Sequence, residues 1–170
     1  MRFAPILLAL SLFSSIVFAS EIAITVEIPR LDVTEYHRPY VAVWIENEQS
    51  VAVANLAIWY DIGQANKKGE EWLKDMRQWW RRSGRELSFP VDSVTGATRA
   101  VGQHKLVFTE REAPFARLAE GNYRLVVEAA RETGGRELIK IPFSWPAKKI
   151  EQHSTQGKSE LGQIQLHITP

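Results

Sequence analysis

The chain contains no cysteine. That absence excludes disulfide cross-links, thiolate-held iron–sulfur clusters, c-type haem attachment, a thiol nucleophile and a lipidated N-terminal cysteine. Histidine is sparse. The four residues His37, His104, His153 and His167 include no pair at i,i+3 or i,i+4, so the spacing gives no support for a metal site. Charge of one sign is also lacking: the formal net charge is +1, and it falls to 0 if Arg2 is removed, leaving 20 basic against 20 acidic residues. This balance supplies no electrostatic drive toward nucleic acid, and no nucleic-acid partner is expected. Beyond the N-terminus no apolar run is long enough for a membrane helix. G-x-S-x-G, P-loop and zinc signatures are missing, and Asp61 and Glu70 form no convincing carboxylate pair, so no constellation supports a hydrolase.

What is present begins at the N-terminus. Arg2 precedes an apolar stretch from Ile6 to Phe18, broken only by serines, and Val17-Phe18-Ala19 supplies the small residues a signal peptidase reads. The expectation is a signal peptide over 1–19, cleaved after Ala19, with a periplasmic mature chain. About 150 residues remain, enough for one domain with a sizeable core over 20–170.

Most of the remainder reads as strands. Period-two alternation or β-branched and aromatic enrichment marks Glu21 to Ile28, Tyr40 to Glu46, Val53 to Tyr60, Lys105 to Thr109, Asn122 to Ala130, Glu137 to Ser144 and Leu161 to Ile168. Pro142 puts its strand at a sheet edge or ends it. Arg131-Glu132 followed by Gly134-Gly135 reads as a charged hairpin turn. Glu151 to Ser159 is polar and reads as a loop. About seven short strands predict a mainly β fold, a β-sandwich. One segment breaks the pattern: Trp72, Leu73, Met76, Trp79 and Trp80 lie on one face of a helix over Glu70 to Arg82, with Gly84 to stop it. This stripe is expected to pack on the sheet as core, with ligand stacking as the alternative.

The segment after the helix, Phe89 to Thr98, carries the chemistry. Pro90 and Gly96 mark an irregular turn that Asp92, Ser93, Thr95 and Thr98 can brace with short polar side chains. Asp92-Ser93-Val94-Thr95-Gly96-Ala97-Thr98 also resembles the flavinylation motif D-x-x-[ST]-G-A-T of bacterial exported and membrane flavoproteins. In those proteins a flavin transferase cleaves FAD and links FMN through a phosphoester to the last threonine. The resemblance implies Thr98 as acceptor. Gly96 and Ala97 would keep the approach open, and Asp92 and Thr95 would serve recognition or bracing; Arg99 lies outside the pattern. Arg38, within His37-Arg38-Pro39-Tyr40, and His104 are further candidates: Arg38 for an anionic reduced flavin or its phosphate, His104 for the flavin ring. For each, a plain strand or loop role is the alternative.

Tyr36 to Glu46, Trp72 to Trp80, Ser93 to Gly102 and Gly121 to Glu132 together resemble a family of predicted periplasmic proteins catalogued as a domain of unknown function. That likeness implies an immunoglobulin-like domain. Leu118 to Val127 is similar to the closing strands of the Ig-like domain in flagellar hook-capping proteins, a likeness of fold and not of role. Members of the unknown-function family are often encoded near flavin transferases and membrane proteins with PepSY domains. The function implied is a periplasmic electron carrier with covalent FMN, loaded by a flavin transferase and reduced by a membrane PepSY-type reductase. The alternative is an unmodified Ig-like binding or assembly module without a redox cofactor.

Overall fold

The protein is described by a computed structural model covering residues 20–170. The segment read as a signal peptide lies outside the described residues. The strands are β1 (Glu21–Ile28), β2 (Tyr40–Asn47), β3 (Ala52–Tyr60), β4 (Thr95–Ala97), β5 (Gly102–Thr109), β6 (Gly121–Ala130), β7 (Arg136–Trp145), β8 (Glu151–Gln156) and β9 (Gln163–Thr169). They form a four-stranded sheet, β5-β1-β9-β8, and a five-stranded sheet, β4-β3-β2-β6-β7. Every pairing is antiparallel except β3 with β4. The fold is mainly β and sandwich-like, with nine strands among the described residues instead of about seven.

Alternation builds the interior. Ile22, Ile24, Val26 and Ile28 of β1 and Ile164, Leu166 and Ile168 of β9 point one way from the four-stranded sheet. They share one core with Val41, Val43 and Ile45 of β2 and Leu125, Val127 and Ala129 of β6. Each such side chain contributes roughly 1.5–3 kcal/mol by leaving water. β2 is buried on both faces, because its other side meets a third layer. Ala42, Trp44, Ile58, Tyr60 and Val126 on the outer face of the five-stranded sheet pack against Leu73, Met76 and Trp79.

That third layer is not the continuous helix expected over Glu70 to Arg82. It breaks into α1 (Lys68–Glu71), a 3₁₀ turn at Leu73–Asp75, and α2 (Arg77–Arg82), with Met76 at a non-helical ψ of 71°. The reason lies in the sheet. Glu128 of β6 accepts hydrogen bonds from the backbone N–H of Gln78 (3.1 Å) and Trp79 (2.7 Å). In an unbroken helix those donors would go to residues 74 and 75. Gly69 lies so close beneath β3 that a Cβ there would overlap the Asp61 carbonyl. The tryptophan stripe therefore splits: Trp79 is fully buried and Trp80 partly so, while Trp72 is 45% exposed.

Two further readings are settled by topology. Pro142 lies within β7, an edge strand, where a missing N–H breaks no ladder on the open side. Glu151 to Ser159, read as a loop, contains β8, a mostly exposed edge strand paired with β9. The 131–135 hairpin turn is present, with Arg131 N donating to Gly135 O and Gly134 N to Arg131 O.

Glu137 joins the two sheets. From β7 its carboxylate accepts N–H bonds from Lys158, Ser159, Glu160 and Leu161, in the loop between β8 and β9. Partial burial pushes its pKa up, but these hydrogen bonds outweigh that effect and hold it below the ordinary glutamate range. The folded carboxylate thus binds a proton more weakly than the unfolded one. Its contribution is complete above the ordinary value of about 4.3 and is lost as pH falls through the lower folded value. Thermal unfolding across pH 3–6 is expected to show a Tm difference between wild type and Glu137→Gln at pH 6 that shrinks toward pH 3; a constant difference would refute this role.

Candidate functional site

Four strand termini meet at one end of the five-stranded sheet. Tyr40 opens β2 opposite Ala130, the last residue of β6, and Tyr60 closes β3 beside Ala97, the last residue of β4. The loops leaving these ends, together with Trp72 and Asp75 of the third layer, enclose an open cleft of about 260 Å³. Tyr36, His37, Arg38, Asp61, Trp72 and Thr98 are among the residues that line it.

Residues 91–98 reach the cleft through a fixed turn. The N–H groups of Val94 and Thr95 both donate to Val91 O (3.3 and 2.9 Å), and Ser93 takes a left-handed φ of 62°. Thr95 Oγ1 accepts from Val91 N at 2.8 Å and locks the turn. β4 then runs parallel to β3, bracketed by Ile58 N to Val94 O (2.9 Å) and Thr98 N to Tyr60 O (3.1 Å). Thr98 is thus fixed by its backbone, while its half-buried side chain has no hydrogen-bond partner among the described residues. No buried side-chain polar atom among them lacks a partner, so the Thr98 hydroxyl is in reach of solvent. The two threonines of the segment differ in this respect: Thr95 is committed to the turn and Thr98 is not.

The small residues are not demanded by the fold. Gly96 has no positive φ, and a Cβ there would meet Trp59 at 3.4 Å and the flexible Arg99 side chain at 3.6 Å, ordinary contacts. Ala97 is exposed, as are Asp92 and Ser93. Arg99 turns to stack on the Trp59 ring, 5.1 Å from its centroid.

The structure brings Arg38 to the same cleft as Thr98 but leaves His104 out of it. His104 lies on β5, bonded to Ala100 O at 2.7 Å and edge-on to Trp59 with centroids 5.8 Å apart. Trp59 belongs to the interior of the sandwich. Of the His37–Tyr40 segment, read as lining a flavin or partner site, His37, Arg38 and Tyr40 line the cleft; Tyr36, Trp72 and Arg131 join them only because strands far apart in sequence bring them together.

Charge in the cleft is ordered. Arg131 makes a two-pronged ion pair with Glu160 (2.8 and 3.1 Å), both nearly buried, which pushes the arginine pKa further up against the opposing effect of burial. His37 bridges Glu35 (3.0 Å) and Glu132 (3.6 Å), tying the 35–38 loop to the hairpin turn. Burial raises the Tyr36 phenol despite the opposing charges of Arg131 and Arg38. Burial also raises Tyr40 against a hydrogen bond with the Asp61 backbone. Both phenols therefore stay protonated at neutral pH. Arg38 is exposed and makes no ion pair among the described residues.

Residues 21–163 match a family described as "Predicted periplasmic protein (DUF2271)". The chain belongs to this family. The matched range runs from β1 into the first residue of β9 and contains every residue of the cleft. Membership agrees with the export signal read in the first nineteen residues, and the protein is periplasmic. No curated protein and no solved structure matches the chain.

Proposed function

We propose that this periplasmic protein is an electron carrier whose flavin is covalently linked to Thr98. The observation that carries the reading is the intact Asp92–Thr98 motif, in which the threonine that the motif makes the acceptor offers a solvent-reachable, unbonded hydroxyl beside a cleft. Attachment is a phosphoryl transfer from FAD by a flavin transferase. A bond forms between Thr98 Oγ1 and the FMN phosphorus, the pyrophosphate bond of FAD breaks, AMP leaves with the bridging oxygen, and the threonine proton is released. FMN bound in this way supplies reversible one- and two-electron chemistry. The chain's own residues hold, orient and partly cover it.

On this reading a membrane PepSY-type reductase is the electron donor, and the protein serves as carrier with no substrate of its own. The sandwich belongs, on this reading, to the immunoglobulin-like group. A covalent link suits the compartment, where a dissociated cofactor is lost. The test is export of the chain in a host carrying a flavin transferase. Flavin fluorescence should survive denaturing electrophoresis, and the peptide holding Thr98 should gain the mass of FMN less one water. A colourless protein of unmodified mass from that host would support instead an unmodified binding or assembly module.

A further inference from the structure

We infer that the cleft beside Thr98 is the seat of the isoalloxazine ring, with Trp72 and Tyr36 as its aromatic walls and Arg38 at its polar rim. This rests on the FMN reading above and specifies where the ring goes. A single exposed aromatic residue needs no explanation. Here Trp72 is 45% exposed and Tyr36 37% exposed, and both line the cavity that contains Thr98. Trp72 is exposed although Leu73 and Met76 beside it are fully buried, so the indole is turned toward the cleft and away from the core.

The chemistry of the lining matches a flat conjugated ring with a polar edge. Aromatic faces offer stacking surface, and Arg38 offers a cation to the ring edge that gains negative charge on reduction. The other guanidinium of the cleft, Arg131, is already spent on Glu160. Asp61, Asp75 and Glu132 also line the cavity and disfavour an anion near them, which leaves Arg38 as the lining guanidinium without an ion pair among the described residues to meet the reduced ring. At about 260 Å³ the cleft is smaller than the roughly 300–1,000 Å³ of enclosing ligand pockets. It covers part of the ring and leaves the rest open to a redox partner.

The experiment compares flavinylated wild type with Trp72→Ala and Arg38→Gln. Fluorescence after denaturation reports attachment, and fluorescence of the native protein reports stacking. Wild type is expected to be strongly quenched when native and to brighten on unfolding. Trp72→Ala should carry the same label but emit several-fold more light when native, and Arg38→Gln should lower the flavin midpoint potential. Both residues are exposed, so neither change endangers the fold. Labelled wild type as bright when native as when unfolded would overturn the seat and leave the attachment standing. Unchanged quenching in Trp72→Ala would also overturn the seat. Absence of label on Thr98 would overturn the attachment and the seat with it.

Discussion

Replacement of Thr98 by Ala is expected to abolish covalent flavin completely while the melting temperature stays within a few degrees of wild type. The asymmetry follows from how the residue is held. Its backbone N–H is bonded to Tyr60 O, which Ala retains. Its hydroxyl has no partner among the described residues, so its loss forfeits no folded-state hydrogen bond. Loss of a half-buried methyl and an unbonded hydroxyl alters stability by about 1 kcal/mol or less. Thr98→Ser puts a primary hydroxyl where threonine has a secondary one and should keep part of the label.

Thr95 is the internal control. Its Oγ1 accepts from Val91 N, so Thr95→Ala loosens the turn and costs about 1 kcal/mol. Because the acceptor remains, label should fall without vanishing. Gly96→Ala should leave the fold intact, since a Cβ finds only ordinary contacts, yet reduce labelling by narrowing the approach to the neighbouring acceptor. Mass spectrometry of the tryptic peptide together with a thermal melt separates these outcomes. Label persisting in Thr98→Ala, on Ser93 or Thr95 for example, would refute Thr98 as acceptor. A collapsed melt for Thr98→Ala with label retained would mean that the residue braces the fold instead.

The contrast between these neighbours also shows what could be read without coordinates. The Asp92–Thr98 segment is contiguous, so the resemblance it carries and the polar residues of its turn can be read in order along the chain. The half-buried strands were visible for a similar reason: β1 follows the Glu21–Ile28 alternation residue for residue, because one face meets the core and the other does not. Where burial is not periodic the signal fails. β8 is largely exposed on both faces and looked like a loop. β4 has three residues and exists only because it pairs with β3. The cleft was illegible because Tyr36, Asp61, Trp72, Thr98 and Arg131 share a place only after β2, β3, β4 and β6 align their ends. Arg38 lines the cleft through the loop that contains it, whereas His104, six residues from Thr98 in sequence, lies beside Trp59.

The broken helix is the other place where a distant residue decides local structure, and it yields the largest stability effect. Glu128→Ala is expected to destabilise the protein by about 3 kcal/mol, or roughly 6–12 °C in Tm for a chain of this size. Glu128 is fully buried on the outer face of β6. Its carboxylate is engaged three ways: by Gln78 N–H, by Trp79 N–H and by Arg136 Nη1 at 2.7 Å. Hydrogen bonds to a charged group are worth about 1.5–3 kcal/mol each, and removing the acceptor leaves the buried Trp79 N–H with nothing to bond. Arg136, 41% exposed, can turn to water, so its stranded charge adds little and the cost stays below the sum of the three contacts. Glu128→Gln keeps the shape and one acceptor and should cost about half as much. Because α2 and the 3₁₀ turn before it carry Trp79 into the core and hold the segment that bears Trp72, near-UV circular dichroism of the tryptophans should weaken in Glu128→Ala well below its Tm. Urea unfolding measures the energy directly: equal midpoints for wild type, Gln and Ala would show that α2 is positioned by apolar packing alone, and that the carboxylate beneath it is incidental.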